Sequence, residues 1–334
     1  MLNIDFSNTA NGKTVKYLIG EENLFFDNSS NTGFLGLVSC RNVTIKNFTD
    51  STLLIANTTD TKIIDSDVGT TTVTLSSNIS ITNITFHDAL YGIALGSNNV
   101  TTLLNSTIYN ATFGVIFAGN GSNQLMKNTA TYNCWISVTL AAFNQQIVDS
   151  MIDNTAVKPG YCPIGIMIGW GAENNTIDNT TVKNGYIGIY LYQTSGNLIK
   201  NCTIKASELL GENGVSFYGD TCNNTIVNCN ITGCWFGVEM LGENSNNTIV
   251  NNTFYNNTFY GYAYGIKISY EDWTGTFWGY SNNNLIYHNN FIGNDHNVYD
   301  DCANFWDYDG IGNYWDDYLG YDNNNDGIGD NPYS

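Results

Sequence analysis

The chain has 334 residues, 11 basic and 30 acidic, for a net charge of −19, and only 12% of it is charged. That balance excludes nucleic acid as an expected partner, since phosphate binding needs clustered Lys and Arg. No apolar run is long enough to span a bilayer as a helix, and Asn, Thr, Ser and Tyr carry most of the polarity.

Met1 to Asp5 leads straight into structure-like sequence without an apolar leader. The expectation is that a signal has been removed ahead of it, or that the chain is one segment of a larger surface protein. Residues 1–60 are expected to form an N-terminal cap and irregular first rungs. Within them Lys16 to Phe26 supplies strands that close an apolar end.

From 61 to 295 the chain repeats. The clearest copy, Asn247 to Phe254 (NTIVNNTF), recurs in weaker form at Asn175, Asn197, Asn224 and Asn284. The first apolar positions fall at Ile63, Ile81, Leu103, Leu125, Ile147, Ile177, Ile199, Ile226, Ile249 and Ile286. The steps are 18, 22, 22, 22, 30, 22, 27, 23 and 37, a period near 22 with insertions, which reads as a solenoid. Three positions on stands a small or polar residue: Ser66, Ser106, Asn128, Ser150, Thr180, Cys202, Cys229, Asn252 and Asn289, with Ile84 the exception. Such a residue suits an inward corner between two short strands. Asn tolerates the left-handed conformation there and can stack along the axis as a ladder.

A second register, Gly-apolar-x-apolar, opens at Gly92, Gly114, Gly165, Gly188, Gly214, Gly237 and Gly265, with Ile136 to Leu140 filling the gap. Alternation of period two makes these strands with one face inward. Asn, Thr, Gly and β-branched residues dominate, and they are poor helix formers. The expected fold is all-β: a right-handed parallel β-helix of about ten to twelve rungs, with terminal caps, as one continuous domain.

The outward residues of the glycine-led strands are Ala94, Ile116, Thr139, Met167, Tyr190, Ser216, Glu239 and Lys267. Long insertions fall at 155–164, 205–213 and 269–283. Together these regions nominate a glycan-binding face of Tyr190, Tyr218, Glu239, Asp272, Trp273 and Trp278. Two carboxylates beside aromatic platforms can in principle hydrolyse a glycoside, but no acid pair is singled out by spacing, and loop acids are ordinarily just solvated. The single arginine, Arg41, is far from the insertions, which disfavours a lyase. The aromatics have a bland reading too: long loops must bury something to stay ordered.

Eight cysteines include no CxxC pair. Cys202 and Cys229 share the corner position in successive rungs, where a disulfide would reach; two buried thiols would fill the corner equally well. Cys222 and Cys234 flank one rung and could staple its loop. There are 18 Asn-x-Ser/Thr sequons, among them Asn42, Asn47, Asn57, Asn83, Asn105, Asn179, Asn201, Asn230 and Asn251. An Asn/Thr-rich repeat generates sequons by chance; their use would require export.

Residues 296–334 are expected to form a C-terminal cap. Asp322 to Asp330 (DNNNDGIGD) matches the first nine positions of an EF-hand-type calcium loop, with Asp322, Asn324, Asp326, the Ile328 carbonyl and Asp330 as ligands. Tyr333 stands where the twelfth-position Glu would, so a full EF-hand is excluded and the expected role of Ca²⁺ is structural.

With these residues in view, the chain resembles the NosD-like parallel β-helix repeat family, periplasmic copper-binding and carbohydrate-binding proteins with archaeal surface-protein relatives. The repeat carries this over roughly 60–295. The ending Asn304 to Asp307, Gly312 to Tyr318 and Asp322 to Tyr333 is the more specific match, to the archaeal type. The resemblance implies a β-helix and an exported, cell-surface location but no particular reaction. Copper does not carry over, because no cluster of soft ligands is visible. The function expected first is a non-catalytic, exported structural protein able to assemble with itself into a layer or filament. The alternative is a carbohydrate-binding or glycan-hydrolysing β-helix using the insertions.

Overall fold

The computed structural model describes residues 7–10, 12–155, 162–206, 213–323, 331 and 333. The chain winds as a parallel β-helix in which each full turn from Asn99 onward lays down three strands, while earlier turns run them together, as in Thr59–Thr74. In the rung of Ile226 these are Thr225–Val227, Asn230–Thr232 and Phe236–Leu241. They belong to sheets 1, 2 and 3 respectively, and each pairs in parallel with the equivalent strand of the next turn. Sheet 3 begins at Lys13–Ile19 and ends at His296–Asp300, so residues 13–56 already stack in parallel register. The only described helix is a single 3-10 turn, Asn28–Ser30. Among the described residues no helix is long and apolar enough to cross a membrane.

The interior is a set of columns. Ile177, Ile199, Ile226, Ile249 and Ile286 pair successively and are at most 1% exposed. Burial of one such side chain is worth roughly 1.5–3 kcal/mol. One rung departs from the expected register. Leu103 pairs with Met126, and Met126 with Ile147, so Met126 rather than Leu125 points inward. Two adjacent apolar residues fit the spacing equally, and the following corner decides between them.

That corner uses two consecutive residues for the two jobs expected of one. Asn105, Asn128, Asn179, Asn201, Asn228 and Asn251 take the left-handed turn, at φ of 47–56°, and face solvent. The next residue points inward, so Thr129, not Asn128, fills its corner. Where the inward residue is Ser or Thr, its hydroxyl accepts from the previous rung, as Ser106 Oγ does from the Ile84 N–H at 3.1 Å. Further along, Asn252, Asn289 and Asn313 take over this role with amide side chains.

A longer ladder runs at the other end of sheet 1 through Asn175, Asn197, Asn224, Asn247, Asn284 and Asn304. Each Oδ1 accepts from both the backbone N–H and the Nδ2 of the previous member, at 2.8–3.1 Å. These corners are buried, and without the ladder their N–H groups would lack partners.

The eight cysteines are free thiols, which corrects the expected staples. Cys202 and Cys229 do stack, the Cys202 N–H donating to Cys229 Sγ at 3.4 Å. Each sulfur, however, is turned back to a carbonyl of its own rung, that of Lys200 at 3.1 Å and of Val227 at 3.4 Å. Cys234 Sγ likewise faces the Thr232 carbonyl, and Cys222 Sγ faces Asp220.

At the C-terminal end an aromatic column continues the core. Phe254, Phe291, Trp315 and Tyr333 stack at centroid spacings of 4.9, 4.5 and 4.2 Å, with Trp306 beside Trp315. Trp315 thereby covers the last apolar rung, which strand edges require if they are not to recruit another chain.

Candidate functional site

Sheet 3 presents its outer face between two sets of excursions. Asn256 to Ala263 enters it from sheet 2, and Tyr270 to Asn283 leaves it for sheet 1. The insertions at 155–164 and 205–213 fall in the chain between strands of sheet 2 and sheet 3, and 156–161 and 207–212 lie outside the described residues. The outward column is as the alternation predicts: Ala94, Ile116, Thr139, Met167, Tyr190, Ser216, Glu239 and Lys267 are successive register partners.

Around Tyr190 this column joins an aromatic floor. Tyr190 lies 6.1 Å from both Tyr192 and Tyr218, and Tyr218 meets the edge of Trp278 at 5.3 Å. Tyr192 and Tyr218 are register partners at the far end of their strands, so neighbouring rungs align the three tyrosines. Burial, together with Tyr218, Tyr192 and Glu239, pushes the Tyr190 hydroxyl up to about 12, so it stays a neutral donor. Burial and the nearby Glu239 and Asp272 carboxylates raise Tyr218 as well.

Glu239 is the polar centre of the face. Its Oε2 accepts from Asn213 Nδ2 at 2.7 Å, and Asn213 Nδ2 also reaches Ser216 Oγ at 3.1 Å. Burial raises the Glu239 pKa, while Lys267 on the adjacent strand and Asn213 pull it partway back. Lys267 Nζ lies 4.7 Å above the Phe236 ring.

Asp272 has a different role. Its Oδ1 accepts from the Thr274 N–H at 2.8 Å, the Thr274 hydroxyl at 2.5 Å and the Thr276 N–H at 3.1 Å, while Oδ2 accepts from Trp278 Nε1 at 3.0 Å. The Thr274 and Trp278 side-chain bonds are the main forces holding it down at about 2, so it is ionised throughout the physiological range. This carboxylate organises the turn and sets the Trp278 ring against Tyr218.

Of the six nominated residues, the structure brings together Tyr190, Tyr218, Glu239 and Trp278, with Asp272 as the anchor of Trp278. Trp273 is 93% exposed and stands apart from the floor. Sequence reading missed Tyr192, Asn213 and Phe236. The last two occupy the position before the strand's glycine, which faces outward in this register, as Tyr91, Phe113 and Tyr264 also do.

The nine nominated sequon asparagines are all exposed, and all but Asn230 take the left-handed corner, at φ of 47–57°. At Asn57, Asn105, Asn179, Asn201 and Asn251 the pattern has a structural origin: a left-handed Asn, an inward small residue, then a Thr starting the next strand. Of the nominated calcium ligands, Asn324, Asp326, Ile328 and Asp330 lie outside the described residues. Among the described residues no group of three His, Cys, Asp or Glu is placed to hold a metal.

Residues 164–305 match the family described as right handed beta helix region, in agreement with the fold. A stretch of 55 residues is 49% identical to the probable ABC transporter binding protein NosD of Stutzerimonas stutzeri, covering 16% of this chain and 13% of that relative's length. Among solved structures, the chain is similar to the A-module of the Azotobacter vinelandii mannuronan C-5 epimerase AlgE4. The identity there is 12%, with 81% of this chain and 82% of that one covered at a TM-score of 0.53. It is also similar to the periplasmic alginate epimerase AlgG, at 12% identity, 87% and 74% coverage and a TM-score of 0.50. At such identities the likeness is one of fold.

Proposed function

We propose that the outer face of sheet 3 from Tyr190 to Trp278 binds carbohydrate, in an exported protein. The observation that carries this reading is the half-buried Glu239, bonded by Asn213, set in a floor made by Tyr190, Tyr218 and Trp278. Flat rings offer area at low entropic cost, and a fixed carboxylate and phenols offer the directional bonds that sugar hydroxyls need. Two further facts support it. The β-helices of similar fold are named for acting on alginate or mannuronan, both polysaccharides, and one of them is named as periplasmic. The sequence ranked a self-assembling structural role first; no finding supports that role, and the order is therefore reversed.

Binding is favoured over hydrolysis by the state of the acids. A glycosidase needs one carboxyl to donate a proton and a second free to attack or to activate water. Glu239 has the raised pKa of a donor, but both oxygens of Asp272 are committed to its own turn. Calorimetric titration with oligosaccharides tests the reading: binding that Trp278→Ala and Tyr190→Ala both weaken by about tenfold or more supports it. Binding indifferent to both substitutions removes this face from consideration.

A further inference from the structure

We infer that the glycan taken by this face is neutral, and that uronate-bearing chains are excluded from it. The inference rests on the carbohydrate-binding reading above and specifies its substrate class.

The first ground is the charge inventory. From Tyr91–Gly96 to the last strand, Lys267 is the one cation that the described residues place on the outer face of sheet 3. It stands beside Glu239 in register and 4.7 Å above the Phe236 ring. Glu239 and Asp272 are both close enough to act on Tyr218. Arg and Lys are the groups that recognise carboxylates, and the described ones here amount to one Lys against the two carboxylates of Glu239 and Asp272.

The second ground is how Asp272 is held. All its described partners are neutral: two backbone N–H groups, a hydroxyl and an indole N–H. Its charge is therefore fixed by hydrogen bonds and balanced by no cation. A sugar held at Tyr218 and Trp278 lies beside that charge. If the sugar carries a carboxylate, two like charges meet at the surface, and their repulsion is greatest at low ionic strength.

The third ground is what the remaining groups can do. Tyr190, Tyr192 and Tyr218 present phenols, and Glu239 a carboxyl acceptor. A carboxyl oxygen accepts from sugar hydroxyls, so Glu239 serves a neutral polyol, while the Asp272 carboxylate repels a uronate. The fold is shared with proteins named for alginate and mannuronan, whereas the charge of this face points to the uncharged class.

The test is calorimetric titration of the whole chain at low salt with hexasaccharides of glucose, mannose and galactose, and with hexamannuronate and hexagalacturonate. The expected result is binding of at least one neutral hexasaccharide, insensitive to added salt, with each uronate about tenfold weaker or worse. Asp272→Asn, which keeps the Oδ1 acceptor, should narrow that gap by raising uronate affinity about threefold or more. Glu239→Gln, isosteric and retaining an acceptor, is the second variant should the loop of the first rearrange, and circular dichroism reports whether each is folded. A uronate bound as tightly as any neutral chain overturns this inference and leaves the carbohydrate-binding reading intact. Failure of all the saccharides to bind takes away that reading, and this one with it.

Discussion

Asn224 is bonded twice to Asn197, its Oδ1 accepting from the Asn197 backbone N–H at 2.9 Å and from Nδ2 at 2.8 Å. Both residues are 1% exposed, so neither pair of groups can turn to water instead. Asn224→Ala should therefore cost roughly 1–3 kcal/mol for each polar group left unpaired. A denaturant midpoint lowered at unchanged slope is the expected reading. A variant that unfolds with the parent would show the ladder to be a passenger of the strands.

The core column makes a graded prediction. Ile226 is fully buried between Ile199 and Ile249. Ile226→Val should cost about 0.5–1.5 kcal/mol, the value of one methylene plus its void. Ile226→Asp should open the middle rungs, because a buried unpaired carboxylate costs far more. Hydrogen exchange would locate the damage to sheets 1–3 around that rung.

Glu239 should make the protein less stable as pH rises. Burial raises its folded pKa above the ordinary 4.5. Between that value and the raised one the folded state holds more protons than the unfolded state, so stability falls with increasing pH. Glu239→Gln removes this dependence. Melting curves across the acidic to neutral range should diverge upward from about pH 4.5, the variant becoming the more stable. Parallel curves would mean the carboxyl is solvated.

Thiol titration tests the corners. Cys40, Cys134, Cys202, Cys229 and Cys234 are buried and Cys162 is exposed. Burial pushes the Cys134 thiol up to about 11, which leaves little thiolate at neutral pH. Cys162 should react promptly with a disulfide reagent, these five only on unfolding, and all eight should then titrate. A deficit of two would mean that a stapled pair forms in solution.

Asp272→Ala should loosen the excursion from Tyr270 to Asn283 while sparing the rungs. Three donors lose their acceptor, and Trp278 loses the bond that sets it on Tyr218. Limited proteolysis at 270–283 and a red shift in tryptophan emission are the expected signs. An unchanged cleavage pattern would show that ring packing alone holds the turn.

The stacked interior was legible because each rung repeats one spacing, so Ile177 through Ile286 could be aligned by counting, as could the outward column from Ala94 to Lys267. Counting failed at Leu125 and Met126, where two apolar neighbours fit and only the corner chooses. It also merged the left-handed Asn with the inward residue that follows it, since both are small and polar. The aromatic floor was half legible. Tyr190 and Tyr218 lie in strands and obey the alternation, whereas the bond from Trp278 to Asp272 depends on how one excursion folds, which no periodicity encodes. Trp273, adjacent in sequence to Asp272, looked equivalent and projects into solvent instead.

Asn247 and Asn284 are neighbours in the ladder although 37 residues separate them in the chain. The rung that closes between them is as well paired as one with no detour, so the cost of a detour is borne locally by the loop itself. Segments at this corner can thus be lengthened, shortened or exchanged by mutation without disturbing the pitch of the coil. Ligand preference in such a protein is free to drift while the scaffold stays put, and the same corner is where a designer would graft a foreign loop.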